Sequence, residues 1–481
     1  MRYAYRVADV RSAEQELMAR LPDGALMQRA ASGLAAVATG MLRGGGGPGV
    51  YGARVVLLVG VGDNGGDALY AGAQLAGRGA AVHAALADPQ RAHAGGLAAL
   101  RAAGGRVVPA GDARGPLRRA DLVVDGLLGI GGHGGLRGAP AELAALAAAA
   151  VRESGAPILA VDLPSGVEAD TGEVLGAAVR ADVTATFGTH KPGLFIDPAA
   201  GYAGMVEFVD IGLAFPDTAA PVLENLQEQD VRELLPEPSR TAHKYSRGVV
   251  GLAVGSERYP GAALLAAGSA LRSGVGAVRY DGPVDVVSAY PEVIRGDGKV
   301  QAWVVGSGLG RDEEARRRLA HVLESDVPVV VDADGLRLLP QRALERTAPT
   351  VLTPHAGEAA QLLGVPAEEI DAQRLASVRR LAETYGATVL LKGSLSLVCD
   401  PDSATVRVNT HASPYLATAG SGDLLSGLVG GLLAGGLAPL DAASAGAYLH
   451  GAAGLIAARS GPVAAGDLVA ALPSAWQNIR G

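Results

Sequence analysis

The chain has 481 residues, 49% hydrophobic and 19% charged, which is too long for one ordinary core and apolar enough for two. A formal net charge of −8 and a pI near 5.7 supply no basic face for nucleic acid or an anionic membrane, although small anions stay within reach of backbone donors. Cys399 is the only cysteine, so a disulfide framework and a thiolate metal site are excluded and a cytoplasmic location is expected.

In chain order, Met1–Arg6 leads into charges rather than an apolar export signal. Ser12-Ala13-Glu14-Gln15 reads as a capping box for a packing helix, with Leu17, Leu21 and Leu26 in helical rhythm broken at Pro22. Gly44 to Gly49 reads as a flexible loop, and Arg54 to Gly60 as a buried parallel strand. Val61-Gly62-Asp63-Asn64-Gly65-Gly66-Asp67 follows, then a helical stretch from Ala68 to Arg78. A strand, a glycine turn and a helix aim backbone donors at the carboxyl edge of a sheet, where open α/β folds bind ligands. The turn is neither G-x-G-x-x-G nor a P-loop, which disfavours a plain nicotinamide dehydrogenase.

Further strands are predicted at Ala81 to Ala85, Asp121 to Asp125 and Pro157 to Asp162, separated by helical stretches such as Ala139 to Val151. The last two end in Asp125 and Asp162, carboxylates that converge on one crevice or merely cap loop N–H groups. With Asn64 and Ser165 they form a set of hard oxygen ligands suited to an alkali or alkaline-earth cation.

Val59 to Leu69, Asp125 to Gly129, Val161 to Val167 with Ala169 to Gly172, and Thr186 to Gly193 resemble the NAD(P)H-hydrate epimerase family. The resemblance implies a Rossmann-like α/β/α domain that binds the damaged dinucleotide through Asp63, Asn64, Gly65, Gly66, Asp67, Gly129, Ile130, Gly131, Gly132, His133, Gly134, Gly135 and Asp162. It also implies potassium (K+) on Asn64, Asp125 and Ser165. The family carries a second asparagine where this chain has Asp63, and a glycine where it has Ala68. Interconverting hydrates at carbon six needs an acid–base group beside the ring, for which Asp162 is the candidate; Lys191 reads as a loop cation without a role.

From Leu213 to Pro238 the pattern weakens among prolines and acidic residues, so 216–238 is read as a linker between a first domain, 1–215, and a second, 239–481, with a short helix around Leu226 to Leu235. In the second half, strands are predicted at Val249 to Gly255, Ala302 to Gly306, Val327 to Asp332, Thr350 to Thr353 and Thr388 to Leu391, with a helix at Ala262 to Arg272. His243-Lys244 overhangs a phosphate site or is solvated loop charge, and His355 alone reads as structural. Lys392-Gly393-Ser394-Leu395-Ser396 is suited to line a nucleotide's phosphates or ribose.

Ala417 to Leu424 holds Gly420-Ser421-Gly422-Asp423, a glycine turn whose N–H groups open a helix and form an anion hole. The charge of Asp423 repels phosphate, so it handles a proton or a metal ion, or else caps the helix. The run from Leu424 to Leu440 is short, rich in glycine and broken by Ser426 and Pro439, so a buried helix is expected and no membrane span.

His243-Lys244, Gly306 to Gly310, Thr353 to Glu358, Leu391 to Gly393 and Thr418 to Asp423 resemble the ADP-dependent NAD(P)H-hydrate dehydratases, a ribokinase-like α/β fold. Nearly the whole chain thus resembles the bifunctional NAD(P)H-hydrate repair enzymes. That resemblance implies hydrate contacts at Ala262, Gly308, His355 and Asp423, and adenine-nucleotide contacts at Lys392, Gly393, Ser394, Leu395, Ser396 and Gly422. Expected partners are the small molecules NADHX, NADPHX and ADP, with magnesium (Mg2+) on the diphosphate, no nucleic acid and no membrane, in a homo-oligomer. Asp423 is the catalytic candidate: it takes the carbon-six hydroxyl proton, ADP phosphorylates the oxygen, and phosphate then departs. Two other readings fit the same residues: a ribokinase-type small-molecule kinase fused to a non-catalytic dinucleotide-binding domain, and a dinucleotide sensor.

Overall fold

A computed structural model of the chain describes residues 1–44, 49–216, 219–296, 298–340, 344 and 346–481. Residues 45–48, the centre of the predicted glycine loop, lie outside them. The chain forms two compact α/β units, Tyr3–Val222 and Leu223–Gly481, the latter also taking Met1–Arg2.

The first unit is built on seven parallel strands in the order Arg106–Pro109, Ala81–Leu86, Arg54–Val59, Leu122–Gly126, Ile158–Val161, Val183–Phe187 and Met205–Val209. Arg54–Val59 is buried on both faces, as its apolar run requires. Val55, Leu57 and Val59 pack with Leu34 and Leu69 on one side, and Val56 and Leu58 with Leu143 and Ala147 on the other. Because Arg54–Val59 pairs with Ala81–Leu86 on one edge and Leu122–Gly126 on the other, the strand order reverses there, opening a crevice at the carboxyl ends. The first helix spans Val7–Met18, so Ser12 lies inside it and is not its cap. Its first N–H is instead satisfied by Asp170, at 2.8 Å.

The sheet of the second unit runs through Leu223–Asn225, Val406–Asn409, Ser396–Cys399, Thr388–Leu391, Thr350–Leu352, Val329–Val331, Ala302–Val305, Val249–Ala253, Ala277–Tyr280 and Ile294–Arg295. Pairings are parallel from Thr388–Leu391 to Ile294–Arg295 and antiparallel on both sides of Ser396–Cys399. Within 216–238, read as linker, Leu223–Asn225 pairs in parallel with Val406–Asn409, and the short helix falls at Glu228–Leu234 behind a Gln227/Asp230 capping box. These segments belong to the second unit.

The helix Ser421–Ala434 is almost wholly buried, and its glycines explain how. A Cβ at Gly427 would lie 2.3 Å from the Ala266 carbonyl oxygen, and one at Gly430 would lie 2.1 Å from Val304 Cγ2. The helix therefore packs directly on the neighbouring helix Pro260–Leu271 and on the central strands. Among the described residues no single helix is long and apolar enough to cross a membrane; only the bent pair Pro439–Ser460 and Ala465–Arg480 qualifies jointly, and residues 442–454 of it are buried in the fold.

Gly427→Val should lower the unfolding free energy by about 2–3 kcal/mol in urea denaturation, because the obstructing atom is backbone and cannot swing aside. Gly466→Ala, with nothing within 4 Å of its Cβ, should leave stability unchanged or raise it by up to about 1 kcal/mol.

Candidate active sites

At the switch point of the first unit a cavity of about 530 Å³ is lined by Asp63, Asn64, Asp67, Gly129 to Gly132 and Asp162, with Arg11 and Glu14 from the first helix. The backbone can approach because the turn lacks side chains: a Cβ at Gly60 would sit 1.8 Å from Leu127 O, and one at Gly65 would sit 2.4 Å from Gly60 O. Gly65 and Gly66 are buried and serve this packing rather than lining the cavity. His133, Gly134 and Gly135 also lie off the cavity wall, where Glu168 holds the His133 ring at 2.9 Å and accepts from Gly134 N at 2.6 Å.

Asp162 ends its strand with φ +66°, one of two non-glycine residues with positive φ among those described. That turn points its carboxylate at the N–H of Phe187 (3.1 Å) and the hydroxyl of Thr186 (3.2 Å), and it pairs with the ammonium of Lys191. Lys191 is 1% exposed and also donates to Phe187 O at 3.0 Å. It is therefore no loop cation. A lysine buried to this degree persists only with its charge matched, and Asp162 is the match.

The acids around this pair respond to its field. Burial first, then repulsion from Asp162, Asp63 and Glu14, pushes the Asp67 carboxyl well above the usual carboxylate range. Burial also raises Glu14, with Lys191 opposing. Asp67 Oδ1 is buried with no hydrogen-bond partner among the described residues.

Asp125 is fully buried, and desolvation lifts its carboxyl to about 6 against hydrogen bonds from Ser165 and Leu127. Ser165 donates from its hydroxyl to Asp125 Oδ1 (2.7 Å) and from its N–H to Oδ2 (2.9 Å), and its oxygen accepts from Leu128 N (2.8 Å). The Leu128 carbonyl lies 3.2 Å from Ser165 Oγ and 3.5 Å from the Asn64 amide nitrogen. Carboxylate, hydroxyl and carbonyl oxygens, the hard donors an alkali cation takes, thus gather beside Asn64, which turns its amide nitrogen to the Leu128 and Val161 carbonyls.

In the second unit the strands again deliver polar groups to the carboxyl edge of the sheet. Asp332, 1% exposed, follows Val329–Val331 and precedes Ala333, the other positive-φ residue at +48°. It accepts from Ser307 Oγ (3.0 Å), Thr353 Oγ1 (2.8 Å) and Lys392 Nζ (2.8 Å). Burial alone would lower the Lys392 ammonium, but Asp332 and Glu358 outweigh it and raise it. Glu358 lies 3.8 Å from Lys392. His355 caps the helix Ala356–Leu363, its Nδ1 accepting from Gly357 N (3.0 Å) and Glu358 N (3.3 Å), in keeping with its structural reading.

The helix Ser421–Ala434 opens behind Gly420, whose φ of +87° only glycine adopts cheaply. Ser421 N bonds back to Thr418 O and Leu424 N to Gly420 O, so the N–H groups of Gly422 and Asp423 stand in the first turn, which has no intrahelical acceptors for them. The Ser421 hydroxyl is 2.9 Å from Nε2 of the buried His450, whose ring is lowered to about 4 by burial and by Lys392. A Cβ at Gly422 would be 3.3 Å from Lys392 Nζ, so the ammonium lies against the anion hole. Asp423, Ala262, Gly308 and Gly420 line one cavity of about 380 Å³ with Tyr259 and Asp334; His355 is not part of that wall. Burial, followed by Asp332, raises the Asp423 carboxyl to about 6, with Lys392 and Ser307 opposing.

Sequence reasoning missed Asp332 and Glu358 as site residues and gave Lys191 no role. Asp332 carries the signal that marked Asp125 and Asp162, an acid at the end of an apolar strand, and Glu358 is the third residue of the helix that His355 caps. Among the described residues no group of three histidine, cysteine or acidic side chains is arranged to hold a metal ion.

Residues 23–193 match the family of YjeF-related protein N-termini, and residues 250–474 match the Carb_kinase family, described as NAD(P)H-hydrate dehydratase. The bifunctional NAD(P)H-hydrate repair enzyme Nnr of Mycobacterium leprae is 46% identical over 493 residues, spanning 100% of this chain and 99% of the relative. Its counterpart in Mycobacterium tuberculosis H37Rv is 46% identical over 454 residues, covering 92% of each chain. The crystal structure of the ADP/ATP-dependent NAD(P)H-hydrate dehydratase from Bacillus subtilis, co-crystallised with ATP/Mg2+, superposes with a TM-score of 0.50 at 30% identity, over 53% of this chain and 97% of that one. With both halves matched and a full-length relative at this identity, the chain belongs to the family of bifunctional NAD(P)H-hydrate repair enzymes.

Proposed function

We propose that the first unit interconverts the R and S hydrates of NADH and NADPH, and that the second dehydrates the S hydrate at the expense of ADP, releasing AMP and phosphate. The observation that carries this reading is Asp423. A carboxyl at the mouth of a helix amino terminus, with Lys392 alongside, can take a proton from an alcohol while the same turn receives the phosphoryl group moving onto it.

The chemistry follows from a poor leaving group. Asp423 takes the hydroxyl proton, the oxygen at carbon six attacks the terminal phosphorus of ADP, and AMP leaves. The ring nitrogen's lone pair then forms the C=N bond as phosphate departs, and loss of a ring proton restores the dihydronicotinamide. Gly420, Ser421 and Gly422 would hold the transferring group. Lys392, Gly393, Ser394, Leu395 and Ser396, in the turn that opens the antiparallel pair, would hold the rest of the nucleotide. Ala262 and Gly308 would seat the hydrated ring. Magnesium would neutralise the diphosphate, as it does in phosphoryl transfer generally. In the first unit, potassium on Asn64, Asp125 and Ser165 would supply a fixed positive charge under the turn that faces the dinucleotide, with Asp162 as the acid–base group.

The test is to mix both hydrate epimers with protein and ADP and follow the return of reduced-nicotinamide absorbance. Full recovery is expected; recovery of the S epimer alone would remove the epimerase, and no recovery with nucleotide consumed on another alcohol would make the protein a kinase. Asp423→Asn should cut dehydration by about 10²–10⁴-fold while nucleotide binding persists. Because the base must be ionised and its carboxyl sits at about 6, wild-type dehydration should be present above that pH and fall as pH drops through it, a limb that Asp423→Asn lacks. An unchanged rate in the variant would remove Asp423 from the role.

A further inference from the structure

We propose that Asp67 is the second proton-handling residue of the first unit: it protonates the departing carbon-six hydroxyl, while the Asp162 carboxylate takes a proton from the water that returns. The inference rests on the epimerase reading above. Asp67 lies in the wall of the same cavity as Asp162, on the first turns of the helix Asp63–Gly77. The two carboxyls have opposite surroundings. Asp162 accepts from an ammonium, a hydroxyl and a backbone N–H. Asp67 is 6% exposed, and its Oδ1 has no hydrogen-bond partner among the described residues. A buried carboxyl oxygen left unpaired is rare in folded proteins and calls for an explanation; a substrate hydroxyl whose oxygen accepts from the protonated carboxyl provides one.

Charge reinforces the contrast. Asp67 is faced by Glu14 from the first helix, Asp63 from its own helix and Asp162 from the end of Ile158–Val161, with Arg11 on the cavity wall and Lys191 committed to Asp162. Burial first, and then these three acids, favour the neutral carboxylic acid. A raised, buried carboxyl beside a second one held by a lysine gives one cavity both a proton donor and a proton acceptor.

The step balances. The C6–O bond breaks as the Asp67 proton passes to the oxygen, water leaves, and the ring nitrogen's lone pair forms C6=N. Water then adds to the other face of carbon six, the C=N electrons return to nitrogen, and the added water loses its proton to Asp162. The opposite epimer is processed with the roles reversed, and solvent exchange restores the starting protonation.

Epimerisation of purified hydrate epimers should be followed chromatographically in the full-length protein, with hydrate binding measured separately. Asp67→Asn should lower the turnover number by about 10²–10⁴-fold with hydrate affinity retained, and Asp67→Glu should recover part of it. In water labelled with heavy oxygen, wild-type protein should place label at carbon six at the rate of epimerisation. Wild-type activity should fall as pH rises through the raised range of Asp67. A wild-type protein that fails to epimerise would remove the epimerase reading itself. Epimerisation that survives Asp67→Asn, or is lost only in step with affinity, overturns the proposal, as does epimerisation without label. Should the variants fail to fold, the wild-type labelling and the alkaline limb decide alone, and the absence of either overturns it.

Discussion

In each unit the site is organised by a lysine ammonium drawn out of water onto a strand-end aspartate: Lys191 on Asp162 in the first, Lys392 on Asp332 in the second. A surface pair of this kind contributes about 0–1 kcal/mol, and its loss would pass unnoticed. These pairs are different. Each buried ion costs several kcal/mol of lost hydration, recovered only if the partner is close and the remaining donors and acceptors are filled. Both sites fill them, with Thr186 and the Phe187 N–H on Asp162, and Ser307 and Thr353 on Asp332. The two non-glycine residues with positive φ among those described, Asp162 and Ala333, sit at these same corners. Backbone strain of this kind costs about 1–3 kcal/mol per residue and persists only where the surroundings fix the conformation, as the bonds to Asp162 and Asp332 do here.

From these pairs the remaining electrostatics follow. A carboxylate fixed by a lysine is a standing negative charge, and any second carboxyl brought near it is held back from ionising. That is the condition of Asp67 beside Asp162 and of Asp423 beside Asp332. In neither case is the neighbour the first cause; burial is, and the fixed charge adds to it. The two units share no connectivity, one a reversed seven-strand parallel sheet and the other a larger mixed sheet, yet both place one committed carboxylate and one available carboxyl at a strand edge.

Much of this was legible in the sequence wherever the signal was local. Long apolar runs ending in an acid or a glycine turn gave the central strands and the crevice, and Gly420 to Asp423 gave the helix amino terminus. What stayed hidden depends on distance along the chain. Ala277–Tyr280, Val183–Phe187 and Met205–Val209 are strands by virtue of their neighbours, since an alanine-rich and glycine-rich background blurs their periodicity. Leu223–Asn225 looked like linker because its partner, Val406–Asn409, lies about 180 residues further on. Lys191 looked like loop charge because burial is not written in its neighbours: Pro192, Gly193 and Leu194 are buried with it only once the sheet has formed. The same holds for Ser12, whose capping box is a genuine local signal overruled by a helix that starts five residues earlier, where Asp170 supplies the cap from elsewhere in the fold.

The placement of Asp423 resolves an apparent contradiction in the second site, an acid beside a phosphate hole. At an ordinary carboxylate value it would be fully ionised, a weak base and a constant repulsion to the incoming phosphoryl group. Raised to about 6, it remains about nine-tenths ionised at neutral pH, yet is stronger as a base by roughly the two pH units through which it has been lifted. In the proposed reaction it would be neutral once it had taken the alcohol's proton, so repulsion would disappear as phosphorus is transferred. Lys392 completes the balance. Held by Asp332 and Glu358, it is kept charged in a buried setting and stands beside Gly422, where it offsets negative charge without being free to donate its proton to the base. On that reading the same carboxyl would serve the hole beside it, provided its proton arrives before the phosphate does.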